Sequence, residues 1–490
     1  MSSSPDESAP LLDHTDDEQP VTKKRYRRAL LGAGAILLLL AGGVIAMVII
    51  LTRKNSDRTS PYNEKRFFHD VVKMPNYCDH GSKGYSGYIG LATEDSLEPK
   101  RSFFLFSESE LSPQDAPLVL TVGGGPGTSG QMRYWNGDGP CRLTETRAEL
   151  NPYRWTKSFN YLSIDYPVGA GFSHGAIVNS SADAAKEMYD FIQKFYVLFP
   201  NMAKNQLVLN GGSYGGMYLP HMANEIVTQN DLQARKKGVP GARHVPLESI
   251  MISNPYSDPL SHAVNGVEMN CKKTNPPIWN STQCEYAYQQ LPAMTQYIRT
   301  ALDIPTLPNK LQAAEFSGEI EEMDLHGVLR EDYRKTCNID QTGENVAPCL
   351  PFLARMQTFL RNHSEELGVP DEVVFQAISI EVNDRFWKNG DRQVDVTYRV
   401  GMVDLNCPWT GVLGGLLLSN INVAEDFKNA EDIPWPGEES EATVRVVGEG
   451  AGDFTYVQLW HAGHFVSYDM PRIEQKLVEH WIKNKPFGSD

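Results

Sequence analysis

One serine in the chain has the surroundings that nucleophilic catalysis needs. Ser213 lies in the sequence Gly-Gly-Ser-Tyr-Gly, directly after the β-rich run Gln206–Asn210 and before a helical pattern that runs from Met217 towards Val227. A strand, a sharp turn and a helix form a nucleophile elbow, and glycines are needed beside the serine because side chains would collide there. The spacing therefore predicts that Ser213 is a nucleophile.

A serine hydroxyl is a poor nucleophile at neutral pH and needs a general base, which a third residue orients. Asp404 follows a strand-like run, and His464 comes shortly after the run Tyr456–Trp460. The chain order Ser, Asp, His is the one found where a nucleophile elbow carries the serine. His461 is a competing base, but the glycine before His464 allows a tight loop. We therefore predict the catalytic triad Ser213, Asp404 and His464.

A glycine-rich loop at residues 123–130, GGGPGTSG, follows the apolar run Pro117–Val122. Acyl transfer needs backbone N–H groups aimed at the developing oxyanion, and we assign these to Gly125 and Tyr214. Three glycines of the loop also match the dinucleotide pattern G-x-G-x-x-G. Against a cofactor, Pro126 interrupts the turn, and no acidic residue ends a second strand about 20 residues later. The cysteines lack CxxC spacing, so we expect neither a cofactor nor a metal.

The elements around these motifs predict an α/β fold. Short apolar runs alternate with helical patterns such as Ser181–Leu198, for which Ser181 is a plausible N-cap. Such alternation predicts a mostly parallel sheet with helices on both faces. The predicted strands are Pro117–Val122, Tyr161–Asp165, Gln206–Asn210, Ser249–Ser253, Val394–Val403, Thr443–Val447 and Tyr456–Trp460.

The pattern changes within the second half of the chain. Residues 260–385 are helical and charged and contain four of the seven cysteines. We interpret this range as a cap insertion over the sheet. The catalytic domain is then formed by residues 66–259 and 386–490.

The N-terminal region predicts a membrane anchor. Residues 1–28 are polar and read as a disordered tail, whereas Ala29–Thr52 runs 24 residues without a charge. About 20 apolar residues cross a bilayer, and a cleaved signal peptide has a shorter apolar region. Basic residues are more numerous before the span, which favours a cytosolic N-terminus. We therefore expect a single-pass type II membrane protein, with residues 53–65 as a linker.

Three glycosylation sequons, at Asn179, Asn280 and Asn362, agree with a lumenal or extracellular catalytic domain. The seven cysteines also fit an oxidising compartment. The tail contains Leu11-Leu12 after an acidic residue, which resembles a sorting signal for endosomes and vacuoles. The net charge of −16 indicates a solvated surface and argues against a nucleic-acid partner.

Several stretches resemble the motifs of the serine carboxypeptidase family. Residues 123–130 are similar to its loop NGGPGCSS, and residues 211–220, GGSYGGMYLP, are similar to GESYAGHYVP. The most specific match is NPYRW at residues 151–155, followed by YLSIDYPVGAGFSHG at residues 161–175. These resemble NPYSWN and DQPVGVGFSYS.

The later motifs follow in the same order. Residues 253–259 resemble GNGWTDP, residues 401–411, GMVDLNCPWTG, resemble GDxDxxCNWxG, and residues 461–471 are similar to AGHMVPxDQP. The resemblance covers residues 67 to 485 approximately and implies the α/β-hydrolase fold. It places the family aspartate on Asp404 and the family histidine on His464.

The resemblance implies further site residues. The family's buried cysteine corresponds to Cys407. Tyr77-Cys78 and Gly139-Pro140-Cys141 look most like secreted fungal members, which implies a Cys78–Cys141 disulfide. Gly124, Arg133, Asn136 and Cys407 are assigned as substrate contacts.

The chain departs from the family where the substrate is held. The family binds the substrate's C-terminal carboxylate with an Asn and two Glu residues, and these positions are Gly123, Gly212 and Gly137 here. Each lost charge-assisted hydrogen bond is worth about 1.5–3 kcal/mol. Arg133 is near the vacated positions in sequence and could bind a carboxylate bidentately. Without the two glutamates, activity is expected to follow His464 ionisation and rise towards neutral pH.

We expect a serine-type carboxypeptidase that acts on a peptide, without a cofactor. The first alternative is an acyltransferase or esterase that uses the same triad on an acyl small molecule. The second is a non-catalytic membrane-bound binding protein, against which the intact triad argues.

Overall fold

A computed structural model describes most of residues 61–487. The ranges outside the description are 1–60, 63–66, 92–98, 145, 257, 274–276, 278, 305, 307, 310–311, 314–348, 380, 383–384, 387–397, 402–406, 408, 419–421 and 488–490. The predicted anchor Ala29–Thr52 therefore lies outside the described residues. Among the described residues, no helix has the length and apolar character needed to span a bilayer.

The core of the molecule is an 11-stranded sheet with the strand order β1-β2-β3-β7-β4-β8-β9-β10-β13-β12-β11. A separate two-stranded sheet pairs β5 with β6. The strands are β1 Phe68–Lys73, β2 Gly84–Gly90, β3 Arg101–Ser107, β4 Leu118–Val122, β5 Cys141–Leu143, β6 Ala148–Leu150, β7 Asn160–Ile164, β8 Leu207–Ser213, β9 Leu247–Pro255, β10 Tyr398–Gly401, β11 Ile433–Pro434, β12 Ala442–Val447 and β13 Phe454–Leu459.

The centre of the sheet is parallel and its edges are antiparallel. Strands β7, β4, β8, β9, β10 and β13 pair in parallel. Strands β1, β2 and β3 extend one edge in antiparallel pairs, and β12 and β11 extend the other. The prediction of a mostly parallel sheet is therefore confirmed for the centre. The carboxyl ends of parallel strands lie at one edge, where α/β sheets carry their sites.

The sheet is buried on both faces. Successive side chains of a strand point to opposite faces, so neighbouring residues of one strand belong to two different hydrophobic clusters, one on each face. One cluster contains Phe104, Phe106, Leu118, Leu120, Leu162 and Ile164. The other contains Phe103, Leu105, Val119, Tyr161 and Val208.

The described helices are α1 Gln131–Asn136, α2 Ser181–Leu198, α3 Gly215–Ala234, α4 Pro259–Glu268, α5 Ser281–Asp303, α6 Cys349–Asn362, α7 Trp409–Leu418, α8 Ala424–Asn429, α9 Val466–Asp469 and α10 Pro471–Ile482. Helix α2 confirms the amphipathic pattern, but its N-cap is Ser180 rather than Ser181. The extended backbone of Ser180 lets its side chain accept a hydrogen bond from the Asp183 N–H.

Helices α5 and α6 lie within the predicted insertion and α4 begins one residue before it, and the boundaries at 260 and 385 stay a prediction. Helices α4 and α5 contribute to a separate small hydrophobic cluster that includes Val267, Ala287 and Met294. A disulfide joins Cys271 to Cys284 in the same region.

Candidate active site

Ser213 occupies the nucleophile elbow that the sequence predicts. It is the last residue of β8, and α3 begins two residues later at Gly215. Its φ of +55° lies in the left-handed region, which is strained for a non-glycine residue and typical of this turn. The Tyr256 N–H donates a 2.9 Å hydrogen bond to the Ser213 carbonyl, which fixes the turn against the end of β9.

The glycine-rich loop packs directly on the nucleophile. A Cβ atom on Gly124 would lie 2.7 Å from the Ser213 Cβ and 2.7 Å from the Gly212 carbonyl oxygen. Real side chains do not approach so closely, so only glycine fits at this position. Residues 123–130 are here called the oxyanion loop. The predicted donor Gly125 therefore comes directly after Gly124, the residue that packs against Ser213.

A buried carboxylate holds the far end of the oxyanion loop. Asp165 accepts hydrogen bonds from the Ser129 hydroxyl, from Gln131 Nε2 at 2.7 Å and from the Phe172 N–H at 2.9 Å. Burial raises the pKa of Asp165 to about 6, although the hydrogen bonds from Ser129, Phe172 and Gln131 act to lower it. The glycine at 171 is required here, because its Cβ would overlap the carboxyl group at 2.1 Å.

A later segment of the chain also holds the oxyanion loop. Ser129 N–H donates to the Ala377 carbonyl at 2.9 Å, and Ser379 N–H donates to the Gly127 carbonyl at 2.9 Å. The Tyr218 hydroxyl accepts a 3.2 Å hydrogen bond from Gly127 N–H. Sequence reasoning missed these contacts, because no local pattern pairs residues that are 91 to about 250 positions apart.

His464 lies in the loop between β13 and α9 and is partly buried. Asn254 Nδ2 donates to the Gly463 carbonyl at 2.6 Å and to the His464 carbonyl at 3.0 Å. The competing base His461 is exposed, and its Nε2 contacts the Ser440 carbonyl at 3.2 Å. His461 thus has a structural partner in another segment of the chain, so His464 remains the better candidate base.

Asp404 lies outside the described residues, so its role stays a prediction. The strand before it is described: Gly401, at the end of β10, pairs with Leu459, at the end of β13. Asp404 follows the first of these residues by three positions, and His464 follows the second by five. The register thus places the ends of β10 and β13 side by side.

Arg133 lies in a buried ion cluster, defined here as Arg133, Asp138 and Glu474. Its Nε is 2.8 Å from Asp138 Oδ2, and its Nη2 is 3.3 Å from Glu474 Oε1. The side chains are 10%, 0% and 1% exposed, in that order. Burial acts to lower the pKa of Arg133, but Asp138 and Glu474 raise it overall, so the guanidinium stays charged.

The ion cluster lies between two of the glycines that replace family glutamates. A Cβ on Gly212 would be 3.5 Å from Arg133 Nη1, and a Cβ on Gly137 would meet the Ser467 side chain at 2.5 Å. Ser467 Oγ accepts a 3.0 Å hydrogen bond from Arg133 Nη2. The guanidinium is thus placed as the sequence suggests, but carboxylates of the chain itself already bind two of its nitrogens.

The other predicted substrate contacts differ in exposure. Asn136 is partly exposed at the last residue of α1. Cys407 is buried, with 2% of its surface exposed. The substrate roles of both residues stay predictions.

The predicted disulfide between Cys78 and Cys141 is present, with a Cα–Cα distance of 5.9 Å. Together with His80, these cysteines form the group of potential metal ligands found among the described residues. The two sulfur atoms are bonded to each other, and a metal ligand must be a thiolate. This group is therefore a structural bridge.

The family model described as serine carboxypeptidase matches residues 75–484. Carboxypeptidase Y homolog A of Ajellomyces capsulatus is 26% identical over 422 residues, which are 82% of this chain and 73% of that protein. Carboxypeptidase Y of Komagataella phaffii is 26% identical over 423 residues, which are 82% of this chain and 76% of the relative.

A solved structure has a similar fold. It is Kex1(delta)p, a prohormone-processing carboxypeptidase from Saccharomyces cerevisiae, with a TM-score of 0.70 and 17% identity. The match covers 86% of this chain and 96% of that one. At this identity the likeness concerns the fold, and it agrees with the α/β-hydrolase fold expected from the motifs.

Proposed function

Since this chain belongs to the serine carboxypeptidase family and is a serine hydrolase, we propose that it hydrolyses C-terminal peptide bonds through an acyl-enzyme on Ser213. The observation that carries the proposal is the elbow itself. Ser213 has a left-handed backbone between β8 and α3, and Gly124 packs against its Cβ. This arrangement presents a serine hydroxyl beside a loop of backbone N–H groups.

In the proposed reaction, Ser213 Oγ attacks the scissile carbonyl carbon while His464 accepts the hydroxyl proton. The N–H groups of Gly125 and Tyr214 stabilise the negative oxygen of the tetrahedral intermediate. The C–N bond then breaks, and His464 gives its proton to the departing amine. Water attacks the remaining ester by the same route and releases the acid. Asp404 is assigned to orient His464 throughout.

A second candidate function is favoured by the ion cluster. Arg133 Nε already binds Asp138 at 2.8 Å and Arg133 Nη2 already binds Glu474 at 3.3 Å, so two carboxyl groups of the chain surround the guanidinium beside Gly212. Such a cluster does not attract a further carboxylate. The enzyme would then prefer acyl donors with a neutral leaving group, as an esterase or acyltransferase does.

Three matched substrates distinguish the two candidates. A blocked dipeptide is offered to the purified full-length protein in three forms, which are the free acid, the C-terminal amide and the C-terminal methyl ester. Ser213→Ala serves as the control. A carboxypeptidase releases the amino acid from the free acid at least as fast as ammonia from the amide, and mass spectrometry reports both products.

Cleavage of the ester alone would replace the carboxypeptidase assignment with the second candidate. Equal product from Ser213→Ala and the unchanged protein would remove Ser213 from the mechanism. Failure of a fluorophosphonate probe to label Ser213 would favour the non-catalytic alternative, because an inactive serine does not react.

We also propose that residues 29–52 anchor the protein in a membrane, with the catalytic domain in the lumen or outside the cell. Asn179, Asn280 and Asn362 are all exposed, which supports glycosylation at the three sequons. Two disulfides support an oxidising compartment. The test is digestion of sealed vesicles with a glycosidase and a protease: protection of the catalytic domain is expected, and its cleavage would reverse the orientation.

A further inference from the structure

We propose that Asn254 is a positioning residue for the catalytic histidine, because it ties the His464 loop to the strand beside the nucleophile. The inference rests on the proposed role of His464 as the base. Asn254 lies in the stretch of residues 253–259 that resembles a family motif, but the sequence analysis gives it no role of its own. Its side chain acts through the backbone of the histidine rather than on the substrate.

The position of Asn254 follows from an irregularity in the sheet. Gly212 pairs with Ser253, but the next residue, Ser213, pairs with Pro255, and the register shifts between them. Asn254 is therefore the extra residue of β9, opposite the nucleophile elbow. Bulges of this kind occur next to active sites, where they redirect a side chain.

The backbone at the bulge suits an asparagine. Asn254 has a φ of +45°, in the left-handed region that Asn and Asp tolerate better than most residues. Its side chain is fully buried, with 0% of the residue exposed. Holding a left-handed, buried polar residue has a cost, which suggests that its hydrogen bonds are needed.

Those hydrogen bonds reach both peptide groups next to the histidine. Asn254 Nδ2 donates at 2.6 Å to the Gly463 carbonyl and at 3.0 Å to the His464 carbonyl. The Gly463 N–H is held separately by Asp469 Oδ2 at 2.8 Å. The backbone on either side of His464 Cα is thus fixed by one amide group, on the strand next to the one that carries Ser213.

The consequence concerns proton transfer. The imidazole must lie within hydrogen-bond reach of Ser213 Oγ, and a misplacement of about 1 Å can lower the rate about 100-fold. Asn254 does not need to contact the substrate to have this effect. Its loss is therefore expected to lower kcat and leave KM nearly unchanged.

Asn254→Asp is the informative substitution. It keeps the shape of the side chain and its tolerance of positive φ, but it replaces the amide donor by a carboxylate that two carbonyl oxygens repel. Asn210→Asp is the matched control, because Asn210 is also fully buried in the sheet and donates to Thr121 Oγ1 at 3.0 Å. Its hydrogen bond joins the neighbouring strands β8 and β4 and does not involve the His464 loop.

The experiment measures kcat and KM on a blocked dipeptide, the rate of fluorophosphonate labelling, and Tm, all on the full-length protein. Asn254→Asp is expected to lower kcat and the labelling rate about 100-fold, with KM within about twofold of its original value. Asn210→Asp is expected to lower Tm while the labelling rate is retained.

If Asn254→Asp does not fold, Asn254→Gly replaces it, since glycine keeps the left-handed backbone and removes the amide. A labelling rate for Asn254→Gly or Asn254→Asp equal to that of the unchanged protein would overturn the inference. An equal loss of labelling in both the Asn254 and Asn210 variants would also overturn it. Failure of the unchanged protein to label would instead count against the proposed function.

Discussion

Two regions lie beside the nucleophile segment and are built in different ways. The oxyanion loop approaches Ser213 with backbone alone, and its glycine at 124 leaves no room for a side chain. The ion cluster lies beside Gly212 and consists of three buried charged side chains, Arg133, Asp138 and Glu474. The first region resembles the serine carboxypeptidase motif closely, whereas the second fills the place where that family has glutamates.

The difference separates what the reaction requires from what the substrate requires. An oxyanion must be stabilised for any acyl transfer, so the loop cannot change without loss of catalysis. Recognition of the leaving group can change while the triad stays the same. Substitutions in the loop should therefore act mainly on rate, and substitutions in the cluster should act mainly on stability and substrate preference.

The largest effect on rate is expected from Gly124→Ala. The new Cβ would lie 2.7 Å from the Ser213 Cβ, so the loop must move away from the nucleophile. Misplacing an oxyanion donor costs about 10²–10³-fold in kcat. The measurement is kcat on a blocked dipeptide, with the rate of fluorophosphonate labelling beside it.

The control for this substitution is Gly215→Ala, because a Cβ on Gly215 would meet no atom of the described residues within 4 Å outside its own helical turn and its chain neighbours. It should retain nearly full activity, although it lies only two residues from Ser213. If the two alanine variants lose activity equally, the contact of the loop with Ser213 does not set the rate.

The next effect is expected on stability, from Arg133→Met. The substitution leaves Asp138 and Glu474 buried without their cation, and breaking a buried ion pair in this way costs about 3–5 kcal/mol. Chemical denaturation measures the free energy of unfolding. Glu474→Gln is the milder comparison, because the pair between Arg133 and Asp138 remains.

Glu474→Gln also tests the link between the cluster and the substrate. It removes a carboxyl group that contacts Arg133 Nη2, so cleavage of the free-acid peptide should increase relative to the amide. An unchanged ratio of free-acid to amide cleavage in this variant would mean that the cluster has a structural role only.

For Arg133→Met, a free energy of unfolding equal to that of the unchanged protein would contradict the buried-charge argument.

The features that could be predicted from the sequence are those that depend on residues close together in the chain. The elbow at Ser213 and the oxyanion loop are local patterns, since a strand, glycines and a helix follow one another in the chain. The central strands were predicted for the same reason, to within a few residues at either end. The family resemblance added the Cys78–Cys141 disulfide, which spacing alone does not determine.

What could not be predicted depends on residues that are far apart in the sequence. Arg133 and Glu474 are separated by 341 positions, and nothing in either neighbourhood indicates the other. The role of Asn254 depends on a register shift, which is a property of two paired strands rather than one. Strand β1 was missed because the polar residues of FHDVVK obscure its apolar pattern, and β2 was missed because the glycines of GYSGYIG weaken the strand signal.

The smallest expected effect is a change in pH dependence from Asp165→Asn, at the far end of the oxyanion loop. The pKa of Asp165 is raised from 3.8 to about 6 by burial. Below about pH 4 the carboxyl group is protonated in the folded and the unfolded chain alike. As the pH rises towards 6 the unfolded chain loses this proton first, so Asp165 lowers stability progressively, and the loss is complete above about pH 6.

Asparagine cannot ionise and removes this pH dependence. A difference of about two pKa units corresponds to about 3 kcal/mol, so Asp165→Asn should gain up to about this much relative to the unchanged protein between pH 4 and pH 7. Asp183→Asn is the control with the opposite sign, because hydrogen bonds from Lys186 and Ser180 lower the pKa of Asp183. It should be destabilising at pH 7 and less so as the pH falls. If the free energy of unfolding of Asp165→Asn instead follows the same pH trend as that of Asp183→Asn, the Asp165 carboxyl group is ionised in the folded protein. The hydrogen bonds to this carboxyl group would then outweigh its burial.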